Sequence, residues 1–157
     1  MKPILKRSCL GVTTCKRMHD HGSTKIQLTY HYQNPLVIRL RVNVRYVIGG
    51  VERVRFEASQ DLYREAVHLW LATAPAGTTL ALGETSLRVR SSLPSAIVIK
   101  FPEIRVAPSV YTTPMFILAR DWLQAAVADT YVVVPAEFEY DQLNVDDCIL
   151  KILEGSK

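Results

Sequence analysis

The sequence predicts an α+β fold built mainly on antiparallel strands. Three observations carry that expectation. A strict period-two alternation runs from Leu36 to Ile48, two segments near 59–71 and 114–127 switch to helical spacing, and short alternating stretches divided by Gly and Pro fill the chain between them. With 157 residues, 48% of them hydrophobic and 22% charged, the chain holds enough apolar material for one core of its own. Collagen-like, disulfide-framework and largely disordered classes are excluded by the same composition. No stretch approaches the roughly 18 uninterrupted apolar residues of a membrane helix.

Residues 1–24 form a basic arm with Lys2, Lys6, Arg7, Lys16 and Arg17, closed by Gly22-Ser23-Thr24. Its lack of a clean period leaves two readings open, a loosely held strand or a flexible lead. Residues 25–157 read as a single domain. From Lys25, the apolar Ile26, Leu28, Tyr30 and Tyr32 alternate with Gln27, Thr29 and His31 as in a half-buried strand, and Asn34-Pro35 breaks it. The next strand carries Leu36, Ile38, Leu40, Val42, Val44, Tyr46 and Ile48 on one side and Arg39, Arg41, Asn43 and Arg45 on the other. Gly49-Gly50 supplies the turn of a hairpin, and the return strand over 51–58 sets Val54, Phe56 and Ala58 against Arg53, Arg55 and Glu57.

From Ser59, taken as N-cap with Asp61 in the first turn, the residues Leu62, Tyr63, Ala66, Val67, Trp70 and Leu71 predict an amphipathic helix. Ala74-Pro75-Ala76-Gly77 ends it. Short strands follow over 79–82, 86–90 and 96–101, then a proline-bearing connection through Pro102 and Pro108 with an extended piece at 104–106. Pro114 suits the opening turn of a second helix, with Leu118, Trp122, Leu123, Ala126 and Val127 as its apolar stripe and Arg120, Asp121, Gln124 and Asp129 pointing away. Asn144 and Asp147 resemble a capping box before a short closing helix with Ile149, Leu150, Ile152 and Leu153.

Net charge is +4, but it is unevenly spread. Residues 1–100 hold 15 basic and 6 acidic side chains, and residues 101–157 hold 4 and 9. The hairpin places Arg39, Arg41, Arg45, Arg53 and Arg55 on one sheet face as the candidate partner-binding set. Like charges so placed gain from an anionic partner, and guanidinium suits carboxylate and phosphate equally. A solvated face, an acidic protein partner and nucleic acid all remain open readings of it. Single-stranded nucleic acid also asks for aromatic platforms among the cations, and aromatics are only 8% of the chain.

Catalytic chemistry finds little support. His31 and His68 are isolated and read as surface or packing histidines. Cys9, Cys15, His19 and His21 lack zinc-type spacing. Glu137, Glu139 and Asp141 alternate as a solvated strand face would, although a carboxylate enzyme site is the other way to read them; Asp146-Asp147 suits a helix N-terminus. No phosphate-cradling glycine loop occurs. The sequence therefore offers no catalytic residues, no cofactor site and no metal site, and the odd count of Cys9, Cys15 and Cys148 without a secretory apolar run suggests a cytoplasmic setting.

A family resemblance enters at the C-terminal third. Leu118-Ala119-Arg120-Asp121-Trp122-Leu123, then Val134-Pro135, then the run from Tyr140-Asp141-Gln142-Leu143 to Cys148-Ile149-Leu150 resemble the end of the SsgA-like family of actinomycete sporulation and cell-division proteins. Tyr30 through Asn34-Pro35-Leu36-Val37-Ile38, Ala58 through Asp61-Leu62 with Glu65-Ala66, and the stretch from Gly83 to Arg90 are similar to further family segments in the same order. The resemblance implies a Whirly-like α+β architecture: curved antiparallel sheets in a barrel-like core, with two main helices and a short C-terminal helix. It implies a homotrimer and other family members as partners. It also implies a non-enzymatic role at the division septum, recruiting or organising the tubulin-like ring protein FtsZ. The alternative it carries is Whirly-type binding of single-stranded nucleic acid.

Overall fold

The computed structural model describes residues 8–17, 23–48 and 51–138. Eight strands make one antiparallel sheet that curves into a nearly closed barrel, with two helices packed on it. In chain order the strands are β1 (Ser8–Arg17), β2 (Ser23–His31), β3 (Val37–Ile48) and β4 (Val51–Tyr63), followed by helix α1 (Arg64–Thr73). Then come β5 (Thr79–Leu82), β6 (Thr85–Val89), β7 (Ala96–Lys100), a separate hairpin of β8 (Ile104–Ala107) and β9 (Val110–Thr112), β10 (Met115–Ala119) and helix α2 (Arg120–Val133). A short 3-10 turn, Ala136–Phe138, follows. The sheet order is β4-β3-β2-β1-β10-β7-β6-β5, so the first strand lies in the middle and the arm residues 8–17 take the strand reading.

Alternation places the core where the sequence put it. Ile26, Leu28 and Tyr30 of β2 and Ile38, Leu40 and Val42 of β3 are buried, and they share the barrel interior with Leu87, Val89, Ile97, Ile99, Phe116 and Leu118. Phe101 and Phe116 meet edge to face with centroids 5.8 Å apart, an arrangement aromatic rings favour. The Tyr30 hydroxyl donates to the Pro35 carbonyl at 2.9 Å, which ties the β2–β3 loop to the core. Gly83 takes φ +63° as the first loop residue between Leu82 and Thr85, the conformation a type II′ hairpin requires there.

Two expectations about helix starts need correction. The first helix begins at Arg64, not Ser59: β4 continues to Tyr63, and Ser59 and Asp61 pair across the strands with Arg41 and Arg39. The second begins at Arg120, because residues 115–119 form β10 between β1 and β7, and Pro114 precedes a strand instead of opening a helix. Gly49-Gly50 and the closing helix expected over 144–153 lie outside the described residues.

The helices hold each other by their ends. Neither has a side-chain N-cap or a basic residue in its last turn. Instead, the first residue of each reaches the last carbonyls of the other. Arg64 donates from Nη1 to the carbonyls of Thr130 at 3.1 Å and Val134 at 2.8 Å, at the C-terminal end of α2. Arg120 donates to the Leu71 carbonyl at 2.7 Å and the Ala74 carbonyl at 2.9 Å, at the end of α1, with Gln124 adding a bond to Leu71 at 3.2 Å. Each guanidinium thus meets the negative end of a helix dipole, where carbonyls outnumber the amides that can reach them; the Thr130 carbonyl accepts the Val134 amide as well as Arg64. Arg64 is fully buried, with its guanidinium carbon 3.9 Å from the Tyr131 ring centroid and 4.9 Å from that of Tyr30. Arg120 and Gln124 therefore face α1, contrary to the reading that set them outward, whereas Asp121 and Asp129 are exposed as expected.

Candidate interaction face

The outer face of β1–β4 is built in rows set by the register. Leu10, Thr29, Arg39 and Asp61 stand side by side across four strands; Val12, Gln27, Arg41 and Ser59 form the next row; beyond it Thr14 pairs with Lys25, and Asn43 with Glu57. Two rows carry exposed apolar groups at their β1 end, Leu10 at 62% and Val12 at 44% exposure, large values for such side chains. Beside them a depression of about 600 Å³ is lined by Ser8, Leu10, Thr29, His31, Arg39 and Asp61, among others.

Of the five arginines expected here, the hairpin register brings Arg39, Arg41 and Arg45 along β3 and puts Arg55 opposite Arg45. Arg53 falls where the register shifts between Tyr46 and Val47. The side chains of Arg45, Arg53 and Arg55 lie outside the described part of the structure. Arg39 and Arg41 are not a bare like-charge array. Arg39 binds Asp61 through two hydrogen bonds, 2.8 and 3.2 Å, and Arg41 sits 3.1 Å from Glu57. The Asp61 hydrogen bonds and charge raise the Arg39 pKa further above its ordinary value. Both pairs are solvent-exposed, so they orient the face more than they stabilise it.

The other sequence candidates do not converge. His31 is exposed, and its Nδ1 accepts the Gln33 amide in a local turn; exposed His68 packs on Tyr131 at 4.8 Å. Cys9 and Cys15 lie six residues apart on one strand, about 20 Å, too far to share a metal ion. His19 and His21 lie outside the described residues, among which no group of three metal-ligating side chains occurs. Glu137 is in the 3-10 turn, not a strand, and Glu139 and Asp141 are outside the described residues. Burial pushes the Cys15 thiol up to about 11, which keeps it protonated. The feature of this face that the sequence leaves unmarked is its apolar rim: Leu10 and Val12 alternate with Cys9, Gly11 and Thr13, a pattern too polar on the inner side to decide between a strand and a flexible lead.

No family model matches the chain, and no curated protein does. Solved structures do. An SsgA-like sporulation-specific cell division protein from Thermobifida fusca superposes with a TM-score of 0.60 at 16% identity, over 96% of this chain and 98% of that one. The chain has the SsgA-like fold. SsgB of Streptomyces coelicolor, studied for mutations that correlate with longitudinal cell division during sporulation, superposes with a TM-score of 0.54 at 13% identity, over 87% and 94% of the two chains. The SsgA-like fold accounts for the curved sheet and two helices, as the sequence resemblance implied, and no described helix is long and apolar enough to cross a membrane.

Proposed function

We propose that this chain is an SsgA-like regulator of sporulation-associated cell division, acting without catalysis at the septum on the cytoplasmic side. The observation that supports this is the end-to-end likeness to a sporulation-specific cell division protein, which spans nearly all of both chains. In this reading the protein recruits or organises FtsZ, associates with other family members and works as a homotrimer. The outer face of β1–β4 is the contact surface: exposed Leu10 and Val12 at the β1 end of the rows, beside charged side chains, offer apolar and polar contact together, as protein interfaces do. The arginine set Arg39, Arg41, Arg45, Arg53 and Arg55 gives the surface its sign.

Co-sedimentation with FtsZ polymers tests the reading. The wild-type chain should pellet with polymer, the double variant Arg41→Glu, Arg53→Glu should pellet less, and a fluorescent fusion should mark division sites. No pelleting together with a diffuse fusion would refute it. Unchanged pelleting of the variant would remove the arginines from the contact. Tight binding to an oligonucleotide, falling steeply with salt, would instead establish the Whirly-type alternative.

A further inference from the structure

At the end of the sheet away from Arg39 and Arg41, β5 is an edge strand that pairs only with β6. Val89 donates to the Thr78 carbonyl at 3.0 Å, which fixes the hydrogen-bond parity along this pair. Leu80 and Leu82 exchange bonds with Leu87 and Thr85, while Thr79 and Ala81 turn their N–H and C=O groups outward. No described backbone group meets that outer edge. Such an edge is a template for one more strand.

The face beside it is a groove of about 380 Å³ lined by Thr79, Ser86, Arg88, Arg90, Lys100 and Met115 with Val98 at its floor. Arg88 stands opposite Thr79, Lys100 stands opposite Ser86, and Arg90 follows Arg88 by two residues, so the three cations share one side of the sheet. Arg39 and Arg41 have carboxylates at 2.8 and 3.1 Å; among the described residues Arg88, Arg90 and Lys100 have none within ion-pair distance. On the groove face of β5 only Thr79 and Ala81 intervene between the edge and Arg88, and both are small. Arg90 lies one residue past the end of β6, with its amide bonded to the Ala96 carbonyl at 3.1 Å. Two residues of extended chain from Arg88 span roughly 6.6 Å, the interval at which an extended peptide repeats side chains on one face. The groove has no aromatic platform for bases.

We infer that the β5 edge and its cationic groove dock an extended acidic segment of another protein, with carboxylates at alternate positions, as the next strand of the sheet. Backbone bonds to Thr79 and Ala81 hold the segment, and its carboxylates meet Arg88, Arg90 and Lys100. This site is separate from the division reading and does not depend on which partner that reading names.

Fluorescence anisotropy with a labelled heptapeptide of alternating Glu and Thr tests the inference on the full chain. The controls are a peptide of the same composition with all Glu residues contiguous and a fifteen-residue thymidine oligonucleotide. The alternating peptide should bind at least tenfold more tightly than either. Arg88→Glu with Arg90→Glu should weaken it tenfold or more, and so should Ala81→Pro, which removes an outward N–H while leaving the bonds to β6 in place. Methylating alternate peptide nitrogens puts the same question from the ligand side, with the protein unaltered, and should also abolish binding. Equal binding of the contiguous-Glu peptide, tighter binding of the oligonucleotide, or full binding of the methylated peptide would each overturn the inference.

Discussion

Arg64→Met offers a direct measure of what the cross-capping of the helices contributes. The substitution keeps most of the side-chain volume in a fully buried site but removes the guanidinium. The Thr130 carbonyl keeps the Val134 amide at 3.0 Å, so Val134 is the acceptor that loses its bond to Arg64. A buried acceptor left unsatisfied costs about 1–3 kcal/mol. Loss of the desolvated cation stacked on Tyr131 adds about 1–2 kcal/mol. Relief of the buried charge offsets part of this. The expected net destabilisation is therefore about 2–4 kcal/mol, a large part of the roughly 5–15 kcal/mol that holds a typical domain folded. In a chain of this length it corresponds to a fall in Tm of roughly 4–16 °C. Urea unfolding followed by far-UV circular dichroism measures it directly. Arg64→Lys should fall in between, since a point charge can satisfy a carbonyl but cannot stack as a plane. If Arg64→Met unfolds within 0.5 kcal/mol of wild type, the cap contributes nothing and the reasoning is wrong.

Three further outcomes follow from the core. Thr85 is buried with a hydroxyl that has no hydrogen-bond partner, so Thr85→Val should raise stability by about 1 kcal/mol in the same urea assay, and a loss would refute that. A Cβ at Gly11 would sit 3.4 Å from Ala126 Cβ and Trp122 Cζ2, an ordinary contact; Gly11→Ala should therefore be neutral or stabilising by up to about 1 kcal/mol, while Gly11→Leu should cost about 1–3 kcal/mol by melting temperature. The Cys15 thiol ionises near 9.0 when exposed but at about 11 in the fold. Its contribution is complete below pH 9 and is lost as pH rises to 11, up to about 3 kcal/mol. Unfolding titrations of wild type and Cys15→Ala across that window should diverge in slope; parallel curves would show that burial does not hold the proton.

Strands were more legible in this sequence than the points where they stop. Alternation of Ile38, Leu40 and Val42 against Arg39 and Arg41 survives into the structure because one sheet face is core and the other is open. The start of α1 was misread because two periods overlap. Ser59 and Asp61 mimic a helix cap, yet they also continue the outward side of β4, and the bond from Asp61 to Arg39 belongs to the strand. Sequence spacing cannot weigh a partner 22 residues away. Arg64 and Arg120 were illegible for the same reason: an arginine beside an apolar stripe reads as surface until another helix end is known to lie against it. The groove on β6 and β7 is not legible in the sequence because Arg88, Arg90 and Lys100 come from two short strands and the residue after one of them, and the charge count alone does not place them on one side.

The position of β1 has a consequence for how the molecule assembles. One half of the sheet, β1 to β4, is a meander of neighbours in sequence, and the other holds β5, β6, β7 and β10; the described register joins them only where Lys16 meets Ile117 and Arg17 meets Phe116. Closing that seam brings together segments about a hundred residues apart, an entropic cost that local hairpins do not share. During synthesis, β1 must wait with one side open until residues 115–119 have emerged, and a chain cut short before them would expose that side to any passing strand.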